Sequence, residues 1–500
     1  MSELASEPRS ARRLGLSSLR QVPVESRPRV RPGTVPAGIV HLGLGAFHRA
    51  HQAVYTEAAV AEAGGDWGIL GVAPRSTDVV EALAAQDNLF SVTSLSNDES
   101  RTHVVGALAG VCHAASDPMA VVARLADPAI RVVTLTVTEK AYQMDPATGR
   151  LRPDPAVAAD LVGDGPPATV PGLLVRSLIA RARAGAGPIA LVSCDNLPSN
   201  GKRLHGLVTQ ALEYGGTEDA LVEWVHANVT FPGTMVDRIV PATTAQTLAT
   251  VERALGVSDR AAVAAEPYQQ WVIEDDFPAG RPAWERAGAV LTDDASPWER
   301  LKLRALNGVH SAIAYLGALA GRETIAEALE IPGMRATLRR FVAEDVAGSF
   351  TPPDGVSVVE YGDSVLDRFA NAAIRHRTIQ VAMDGSQKLP QRVLHTIADR
   401  RAAGAEPRWG ALVLAAWMRF VQGESDAGVA LPLDDPLADR IRTALAEGKP
   451  TAEGVVDALF GLSEVFPTEL TADDTVRQLV AGWLGALERH GVEPLLRELP

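Results

Sequence analysis

The stretch Gly38–His48 reads Gly-Ile-Val-His-Leu-Gly-Leu-Gly-Ala-Phe-His, an apolar run with β-branched residues that leads into two closely spaced glycines. The apolar run is typical of a buried strand. Gly43 allows a tight turn, and Gly45 allows the backbone to approach a pyrophosphate group at the start of the next helix. The stretch therefore predicts a strand, turn and helix that bind a dinucleotide. His48 occupies the third glycine position of that pattern, so an ordinary strand–helix turn is the alternative.

The same order of strand and helix continues along the chain. Further strand-like runs lie at Trp67–Val72, Ile130–Val137 and Ile189–Cys194, and helical segments lie between them, such as Arg49–Ala63 and Asp78–Ala85. Buried strands separated by helices indicate a mostly parallel sheet that is covered on both faces. The sequence predicts an α/β domain built on a doubly wound sheet.

From about residue 296 the hydrophobic pattern changes to three- and four-residue spacing, which is typical of helices. The helical segments are Trp298–Ala320, Thr324–Leu329, Arg335–Ala347, Val365–Arg377 and Trp409–Val421. We therefore predict a loosely ordered leader at residues 1–34, a dinucleotide-binding domain at 35–295 and a mostly α-helical substrate and catalytic domain at 296–500.

Charge and cysteine content narrow the class of protein. The chain has 47 Lys and Arg against 61 Asp and Glu, which gives a net charge of −14. This balance argues against a partner such as nucleic acid or an anionic membrane and favours a small molecule. Cys112 and Cys194 are too few for a disulfide framework or a thiolate zinc site. Without an apolar run typical of a signal peptide or a membrane span, we expect a cytoplasmic protein.

The end of the second strand bears on the choice of cofactor. An acidic residue that binds the adenosine ribose is expected there, but Val72 is followed by Ala73, Pro74 and Arg75. We predict NAD as the cofactor and leave NADP open, because Arg75 could contact a 2′-phosphate. No metal is predicted, since no further ligand cluster accompanies the histidines of the first helix.

A second group of polar residues lies at the start of the helical domain. At about 100° per residue, Lys302, His310 and Asn307 fall at about 0°, 80° and 140°, on one side of a helix. Burial lowers the pKa of a lysine, and a neutral amine can accept a proton from an alcohol. The three residues are therefore candidates for acid–base chemistry. A solvated face of Lys and Arg is the alternative.

Two further residues are candidates because of their positions. Asn196 follows the strand Ile189–Cys194 and so lies at the carboxyl edge of the predicted sheet, where its amide could donate to a developing alkoxide. It could equally be a turn residue. Lys388 lies in a polar stretch, Asp384–Pro390, that we predict to be a loop. It could bind a substrate hydroxyl or carboxylate, and a structural role is the alternative.

Together these stretches resemble the polyol-specific long-chain dehydrogenase/reductase family, which contains mannitol 2-dehydrogenases and fructuronate reductases. The resemblance runs from Ile39 onward. It rests on Gly43–His51, Thr136–Lys140, Ser193–Asn196, Met235–Ile239, Gln270–Asp275, Lys302–His310 and Asp384–Lys388. The resemblance implies a metal-independent, NAD(P)-dependent dehydrogenase with a Rossmann-type domain followed by a helical domain, and with the substrate between them.

The resemblance also implies roles for the residues that match. Lys302 matches the general acid/base, Asn196 and Asn307 match the asparagines that hold the reacting oxygen, and His310 matches the histidine beside them. The remaining catalytic match is Glu299, implicated in proton exchange with solvent, and Lys388 matches the lysine that binds distal hydroxyls. The candidate cofactor-binding residues are Gly43, Gly45, Phe47, His48, Arg49, Arg75 and Asp237.

The substrate is predicted from one position at which this sequence differs from the mannitol enzymes of the family. Gln380 stands where the mannitol enzymes have an arginine, and Arg375–Arg392 resembles fructuronate reductases. We therefore expect hydride transfer at C2 between D-mannonate and D-fructuronate. Mannitol 2-dehydrogenase, another polyol dehydrogenase or a polyol-phosphate dehydrogenase such as mannitol-1-phosphate 5-dehydrogenase are alternatives.

The sugar acid differs from mannitol by a carboxylate, which a guanidinium can bind with two parallel hydrogen bonds. Arg375 or Arg377 could supply that group, and pairing with acids on the helical surface is the alternative. A dinucleotide-binding redox sensor is the non-enzymatic alternative. We expect a monomer or a small homo-oligomer.

Overall fold

The computed structural model describes residues 12–97, 100–145 and 148–499. The chain forms two compact units, the first ending at Ala295 and the second beginning at Ser296. None of the helices in these described ranges is long and apolar enough to cross a membrane.

The strands lie in the first unit. They are β1 Ala37–Leu42, β2 Gly68–Ala73, β3 Phe90–Ser94, β4 Arg101–Val105, β5 Leu108–His113, β6 Val132–Leu135, β7 Ile189–Ser193, β8 Val229–Thr230, β9 Thr234–Asp237, β10 Val263–Ala265, β11 Gln270–Glu274 and β12 Val290–Thr292.

The main sheet has the strand order β5-β2-β1-β6-β7-β8, and every neighbouring pair is parallel. The prediction of a parallel, doubly wound sheet is confirmed. The strand order reverses between β1 and β6, and sheets of this kind bind ligands beyond the carboxyl ends of the strands at such a reversal. Two small sheets, β10-β3-β4 and β12-β11-β9, complete the strand pairing of the described residues.

Helices cover both faces of the main sheet. Those of the first unit are α1 Ala46–Ala50, α2 Gln52–Ala63, α3 Asp78–Ala84, α4 Pro118–Ala126, α5 Pro155–Val162, α6 Val170–Arg183, α7 Asn200–Tyr214, α8 Asp219–Asn228 and α9 Ala245–Leu255. One core cluster joins the sheet to α4, α6 and α7, and another joins it to α1, α2 and the small sheets. Both faces of the strands are therefore buried, which explains their nearly continuous apolar sequences.

The N-terminal segment corrects the prediction of a loosely ordered leader. Residues 1–11 lie outside the described residues, but Leu14 and Val22 are each only 1% exposed. They pack against Val251 and Leu255 on the apolar side of α9. These two apolar side chains help to hold the segment on the first unit, together with hydrogen bonds such as that from the Leu14 N–H to the Ser258 oxygen at 2.8 Å.

The second unit is helical, as predicted. Its helices are α10 Ser296–Leu301, α11 Gly308–Leu319, α12 Ile325–Leu329, α13 Met334–Arg340, α14 Val358–Phe369, α15 Thr378–Ala382, α16 Gly385–Leu389, α17 His395–Ala402, α18 Arg408–Phe420, α19 Ala438–Glu447, α20 Ala452–Phe460, α21 Thr468–Thr471, α22 Asp474–His490 and α23 Val492–Glu498.

Two details of the second unit differ from the sequence predictions. The predicted helix Val365–Arg377 is wrong, because α14 ends at Phe369 and Arg375 adopts a positive φ of 53° that a helix does not allow. The predicted loop at Asp384–Pro390 is also wrong. Asp384 turns the chain at φ 54°, and Gly385–Leu389 then form α16. Short helices between turns have too little periodicity to be read from the sequence.

Three π-helical turns interrupt the helices of this unit. The first π turn is Lys302–Asn307, the second is Phe341–Val346 and the third is Pro390–Leu394. In each, the residue after the turn donates its N–H to a carbonyl five residues earlier, as Ala347 does to Val342 at 2.8 Å. Such turns are rare and are frequent at functional sites.

Candidate active site

The glycine turn at the end of β1 exposes backbone. Gly43 has a φ of 105°, and a Cβ there would lie 2.0 Å from the carbonyl oxygen of Thr136, so only glycine fits. Gly45 is exposed, and a Cβ built on it would come within 4 Å only of the Gly43 oxygen, at 3.7 Å. The turn thus leaves a side-chain-free surface at the carboxyl edge of the sheet. Its geometry fits the close approach of a pyrophosphate.

Two buried histidines, His41 and His48, lie beside this turn and stabilise it. The rings of His41 and His48 stack with centroids 3.4 Å apart, and both side chains are fully buried. Burial lowers the pKa of His41 to about 3, so the ring is neutral. Its Nε2 donates to the Gly43 oxygen at 3.0 Å, and its Nδ1 accepts from Thr134 Oγ1 at 2.8 Å. This interaction fixes the glycine turn on the sheet.

His48 has a packing role in this arrangement. Burial lowers the pKa of His48 well below its ordinary value, and neither ring nitrogen has a hydrogen-bond partner among the described residues. Its side chain presents no exposed surface to a cofactor. On the same segment, half-buried Phe47 stacks on His51 at 5.1 Å, and His51 Nε2 donates to the Gln270 oxygen at 2.9 Å.

Arg49 is bound to backbone rather than exposed to a ligand. Its Nε donates to the Gly45 oxygen at 3.2 Å and its Nη1 donates to the Ala261 oxygen. Burial lowers the pKa of Arg49 to about 10, and the charge of Asp259 acts in the opposite direction. Arg49 therefore ties the glycine turn to the segment before β10. Its predicted contact with cofactor phosphates stays a prediction.

A buried carboxylate organises the neighbouring part of the carboxyl edge. Asp195 accepts from the backbone N–H groups of Val137 and Thr138 at 3.1 and 2.8 Å, and from Tyr142 Oη at 2.7 Å. Thr138 has a φ of 71°, which is unusual for a β-branched residue and is a form of strain that recurs at functional sites. Asn196 follows Asp195 directly and so lies at this edge.

Two other predicted cofactor residues lie in different surroundings. Asp237 is buried at the end of β9, opposite Gln270 in the small sheet. Arg75 is exposed in the turn between β2 and α3. A contact of either residue with the cofactor stays a prediction.

In the second unit, the first π turn changes the spacing expected of an α-helix. The N–H of Gly308 donates to the Leu303 oxygen, five residues earlier. Residues five apart, such as Lys302 and Asn307, are therefore one π turn apart and share a face of the helix. An α-helix would separate them by about 140°. Lys302 and Asn307 were expected to lie on one side of an α-helix. It is the π-helical spacing, and not the α-helical one, that places them on one face.

Two polar atoms of this helix are buried without a partner. Neither Asn307 Nδ2 nor His310 Nε2 has a hydrogen-bond partner within the described ranges. His310 stacks on Phe369 at 4.5 Å and meets the ring of His376 edge-on at 4.8 Å. Since buried polar atoms are normally hydrogen-bonded, these two are available to a bound molecule.

Positive groups surround His310. Burial lowers the pKa of this histidine well below its ordinary value, and the charges of His376, Arg392, Lys388 and Arg368 act in the same direction. Burial lowers the pKa of His376 as well, so the cations in this list are the lysine and the two arginines. Their charges favour an anion near the neutral His310.

Lys388 and Arg392 belong to consecutive helical turns. Lys388, on α16, donates through Nζ to the Val381 and Met383 oxygens and lies 4.0 Å from Asp384 Oδ2. Arg392, on the third π turn, donates through Nη1 to Ser311 Oγ at 3.0 Å. Burial lowers the pKa of both side chains.

The two arginines predicted to bind a carboxylate are not part of this group of buried contacts. Arg375 is exposed, and Arg377 forms an exposed ion pair with Glu323 at 3.7 Å. The pairing of Arg377 follows the alternative of surface arginines that pair with acids. Glu299 is half-buried on α10, three residues before Lys302.

Comparison with known proteins now identifies the family. Residues 37–286 match the mannitol dehydrogenase Rossmann domain, and residues 294–487 match the mannitol dehydrogenase C-terminal domain. The chain belongs to the mannitol dehydrogenase family. It is therefore a dehydrogenase that acts on CH–OH groups, and the resemblance inferred from the sequence is confirmed.

Members of the mannitol dehydrogenase family resemble this chain over nearly its whole length. It is 42% identical to the uncharacterized oxidoreductase YeiQ of Escherichia coli over 89% of this chain and 90% of that protein. It is 38% identical to the D-mannonate oxidoreductase of E. coli over 94% and 97% of the two chains. The structure of Pseudomonas fluorescens mannitol 2-dehydrogenase with NAD and D-mannitol aligns with a TM-score of 0.83 and 34% identity, covering 97% and 99%.

Some residues of this mannitol dehydrogenase family site were missed from the sequence. Arg392 carries a usable signal, because it follows Lys388 by four residues and so shares its helix face. His376 lies between Arg375 and Arg377, in a stretch without a periodic pattern. No local feature of the sequence therefore marks it as a site residue. His41 is the one polar residue within β1, where an apolar residue is expected, and that exception was the available signal.

Proposed function

We propose that this mannitol dehydrogenase family enzyme interconverts D-mannonate and D-fructuronate by reversible hydride transfer at C2 of D-fructuronate, which is C5 in the numbering of D-mannonate. One observation carries the choice of a sugar acid: the cations Lys388 and Arg392 lie beside the neutral His310 in a chain whose net charge is −14. Cations kept together against that overall balance suit an anionic substrate.

NAD fits the residues of the glycine turn. The side-chain-free surface at Gly45 and the turn fixed by Gly43 would hold its pyrophosphate, and the solved relative that contains NAD supports this choice of cofactor. When bound, NAD accepts the hydride during oxidation and supplies it during reduction.

The proton in this proposal moves through Lys302. In oxidation its neutral amine takes the proton of the substrate hydroxyl, and in reduction the ammonium returns a proton to the carbonyl oxygen. Asn307, on the same face of the first π turn, donates its unpaired Nδ2 group to the reacting oxygen. His310 offers Nε2 beside it. Glu299, close before Lys302 in the chain, is proposed to pass the proton to solvent, and Asn196 keeps the role predicted from the sequence.

A panel of substrates tests the proposal. D-mannonate, D-mannitol, D-arabinitol and mannitol 1-phosphate are each combined with NAD⁺ and NADP⁺, and nicotinamide reduction is followed by absorbance. We expect the highest kcat/KM for D-mannonate with NAD⁺. A higher kcat/KM for D-mannitol would contradict the proposal and make the enzyme a mannitol 2-dehydrogenase, like its solved relative from Pseudomonas fluorescens.

A further inference from the structure

The guanidinium of Arg392 has more donors than the protein satisfies. A guanidinium carries five N–H donors, and the side-chain partner of Arg392 is Ser311 Oγ, at 3.0 Å. No carboxylate lies within ion-pair distance of Arg392 in the described part of the chain. By contrast, Arg304 on the first π turn pairs with Asp399 at 2.7 Å and also donates to Ser349. Arg392 is thus a cation that lacks an anion.

Leaving a buried charge unpaired costs free energy. Burial lowers the pKa of Arg392, and the neighbouring group that opposes this shift is the Tyr315 phenol, not a carboxylate. The cost is offset if a bound anion completes the pair. Hydroxyl groups alone would compensate less, because they carry no negative charge and do not match the guanidinium with two parallel hydrogen bonds as a carboxylate does.

Arg392 is placed beside the residues that the proposed function assigns to the substrate. Its partner Ser311 directly follows His310, and Lys388 precedes Arg392 by one helical turn. The charge of Arg392 acts on both His310 and Lys388. A carboxylate bound by Arg392 would therefore belong to a molecule that also reaches these two residues.

The neighbouring cations are less suited to the same task. Arg377 pairs with Glu323, and Arg375 is exposed on a left-handed turn. Lys388 already donates to two backbone carbonyls and lies near Asp384. A lysine also lacks the planar fork that matches a carboxylate.

We propose that Arg392 binds the carboxylate of the sugar-acid substrate and determines the preference for sugar acids over sugar alcohols. This inference rests on the function proposed above, which names the substrate but not the residue that selects it. Arg392 replaces Arg375 and Arg377 as the arginine expected to recognise the carboxylate.

The test compares two substrates that differ at the carboxylate. In Arg392→Gln the charge is lost, and we expect kcat/KM for D-mannonate to fall by roughly 10- to 100-fold, mainly through KM. The kcat/KM for D-mannitol should fall by a clearly smaller factor, and circular dichroism checks that the variant is folded. Arg392→Lys keeps the charge without the fork and should restore part of the affinity. Arg339→Gln, which removes an exposed arginine paired with Asp363, is the matched control.

Two results would overturn the assignment. Equal losses on both substrates would make Arg392 a structural residue, and an unchanged KM for D-mannonate would remove it from the carboxylate site. If the wild-type enzyme oxidises only D-mannitol, the proposed function fails, and D-mannonate is then tested as a competitive inhibitor. Inhibition that is weaker in Arg392→Gln than in the wild type would still support carboxylate binding by Arg392, whereas equal inhibition would exclude it.

Discussion

The two units use their arginines differently. In the first unit, Arg181 donates to the backbone oxygens of Leu125, Asp127 and Gly187, and Arg49 likewise donates to backbone oxygens. In the second unit, Arg392 keeps most of its donors unused. Arg49 and Arg181 thus hold loops of the first unit, whose glycine turn is proposed to bind the dinucleotide through its backbone. Arg392 differs from them, and from Arg304 with its Asp399 ion pair, because most of its donors remain for a ligand.

Replacing Lys302 should give the largest effect, a fall in kcat, because it removes the proposed acid/base in the second unit. The glycine turn in the first unit stays intact. Lys302→Ala should lower kcat by about 10²- to 10⁴-fold, the usual contribution of a positioned acid/base. The dissociation constant for NADH, measured by fluorescence, should change little. Lys449→Ala, at an exposed lysine of the same unit, is the control. A near-normal kcat in Lys302→Ala would remove this lysine from the mechanism.

The next largest effect is expected from the buried carboxyl of Glu57, which should make the free energy of unfolding depend on pH. Burial raises the pKa of Glu57 from 4.5 to about 7, although the carboxyl accepts the Gly106 N–H at 2.6 Å. The fold therefore favours its neutral form. Relative to Glu57→Gln, the wild type should lose stability as the pH rises from about 4.5 to about 7, and the difference should be constant above and below that window.

The expected size of this change is on the order of 3 kcal/mol in the free energy of unfolding. Urea unfolding of both proteins at pH 4.5 and pH 8 measures it. Glu62→Gln, at an exposed position on the same helix α2, serves as the control and should show no such change. If the two variants behave alike across this range, the Glu57 carboxyl is ionised in the fold.

A smaller effect on stability is expected at the end of the first π turn. A Cβ on Gly308 would lie 2.9 Å from the Arg392 oxygen and 3.3 Å from the Phe341 ring. Gly308→Ala should therefore lower the free energy of unfolding by about 1–2 kcal/mol, although alanine is the better helix former. Gly482, inside α22, has nothing within 4 Å of such a Cβ, and Gly482→Ala should stabilise by up to about 1 kcal/mol. Thermal unfolding compares the two, and stabilisation by both would show that the π turn tolerates a side chain.

The smallest effect is expected at the glycine turn. It should be a loss of NADH affinity, whereas Lys302→Ala should lower kcat. Gly45→Ala adds a Cβ where the protein has room for it, so the melting temperature should change little. The Cβ would occupy the surface that the pyrophosphate needs, and the Kd for NADH should rise about tenfold, or 1.4 kcal/mol. Unchanged affinity would mean that the dinucleotide binds elsewhere. Together with Lys302→Ala, this variant separates binding in the first unit from chemistry in the second.

Sequence reasoning works best where the pattern is local. Four strands of the main sheet, β1, β2, β6 and β7, were predicted because their residues are mostly buried and read as continuous apolar runs. The partly exposed β5 and the two-residue β8 were not predicted. The turn at Gly43 was predictable because a positive φ with a close backbone neighbour leaves no alternative to glycine. These features depend on a few adjacent residues and so are visible without the fold.

Features that depend on distant partners could not be predicted. The first π turn is held by contacts such as the ion pair of Arg304 with Asp399, almost a hundred positions away in the chain. The availability of Arg392 depends on the lack of a carboxylate near it, which no local pattern records. The order of the N-terminal segment depends on the apolar side of α9, which follows it by more than two hundred residues.

The first π turn determines how its helix responds when a residue is deleted or inserted. A π turn accommodates an additional residue compared with an α-helical turn, because its hydrogen bonds span five residues instead of four. Deleting a single residue between Lys302 and Asn307 would leave them four apart, the spacing at which side chains share a face of an ordinary α-helix. Inserting a residue there would instead rotate Lys302 by about 100° relative to His310, unless the helix opened a further π turn. This segment therefore tolerates the loss of a residue better than the gain of one, although neither change replaces a side chain that faces the site.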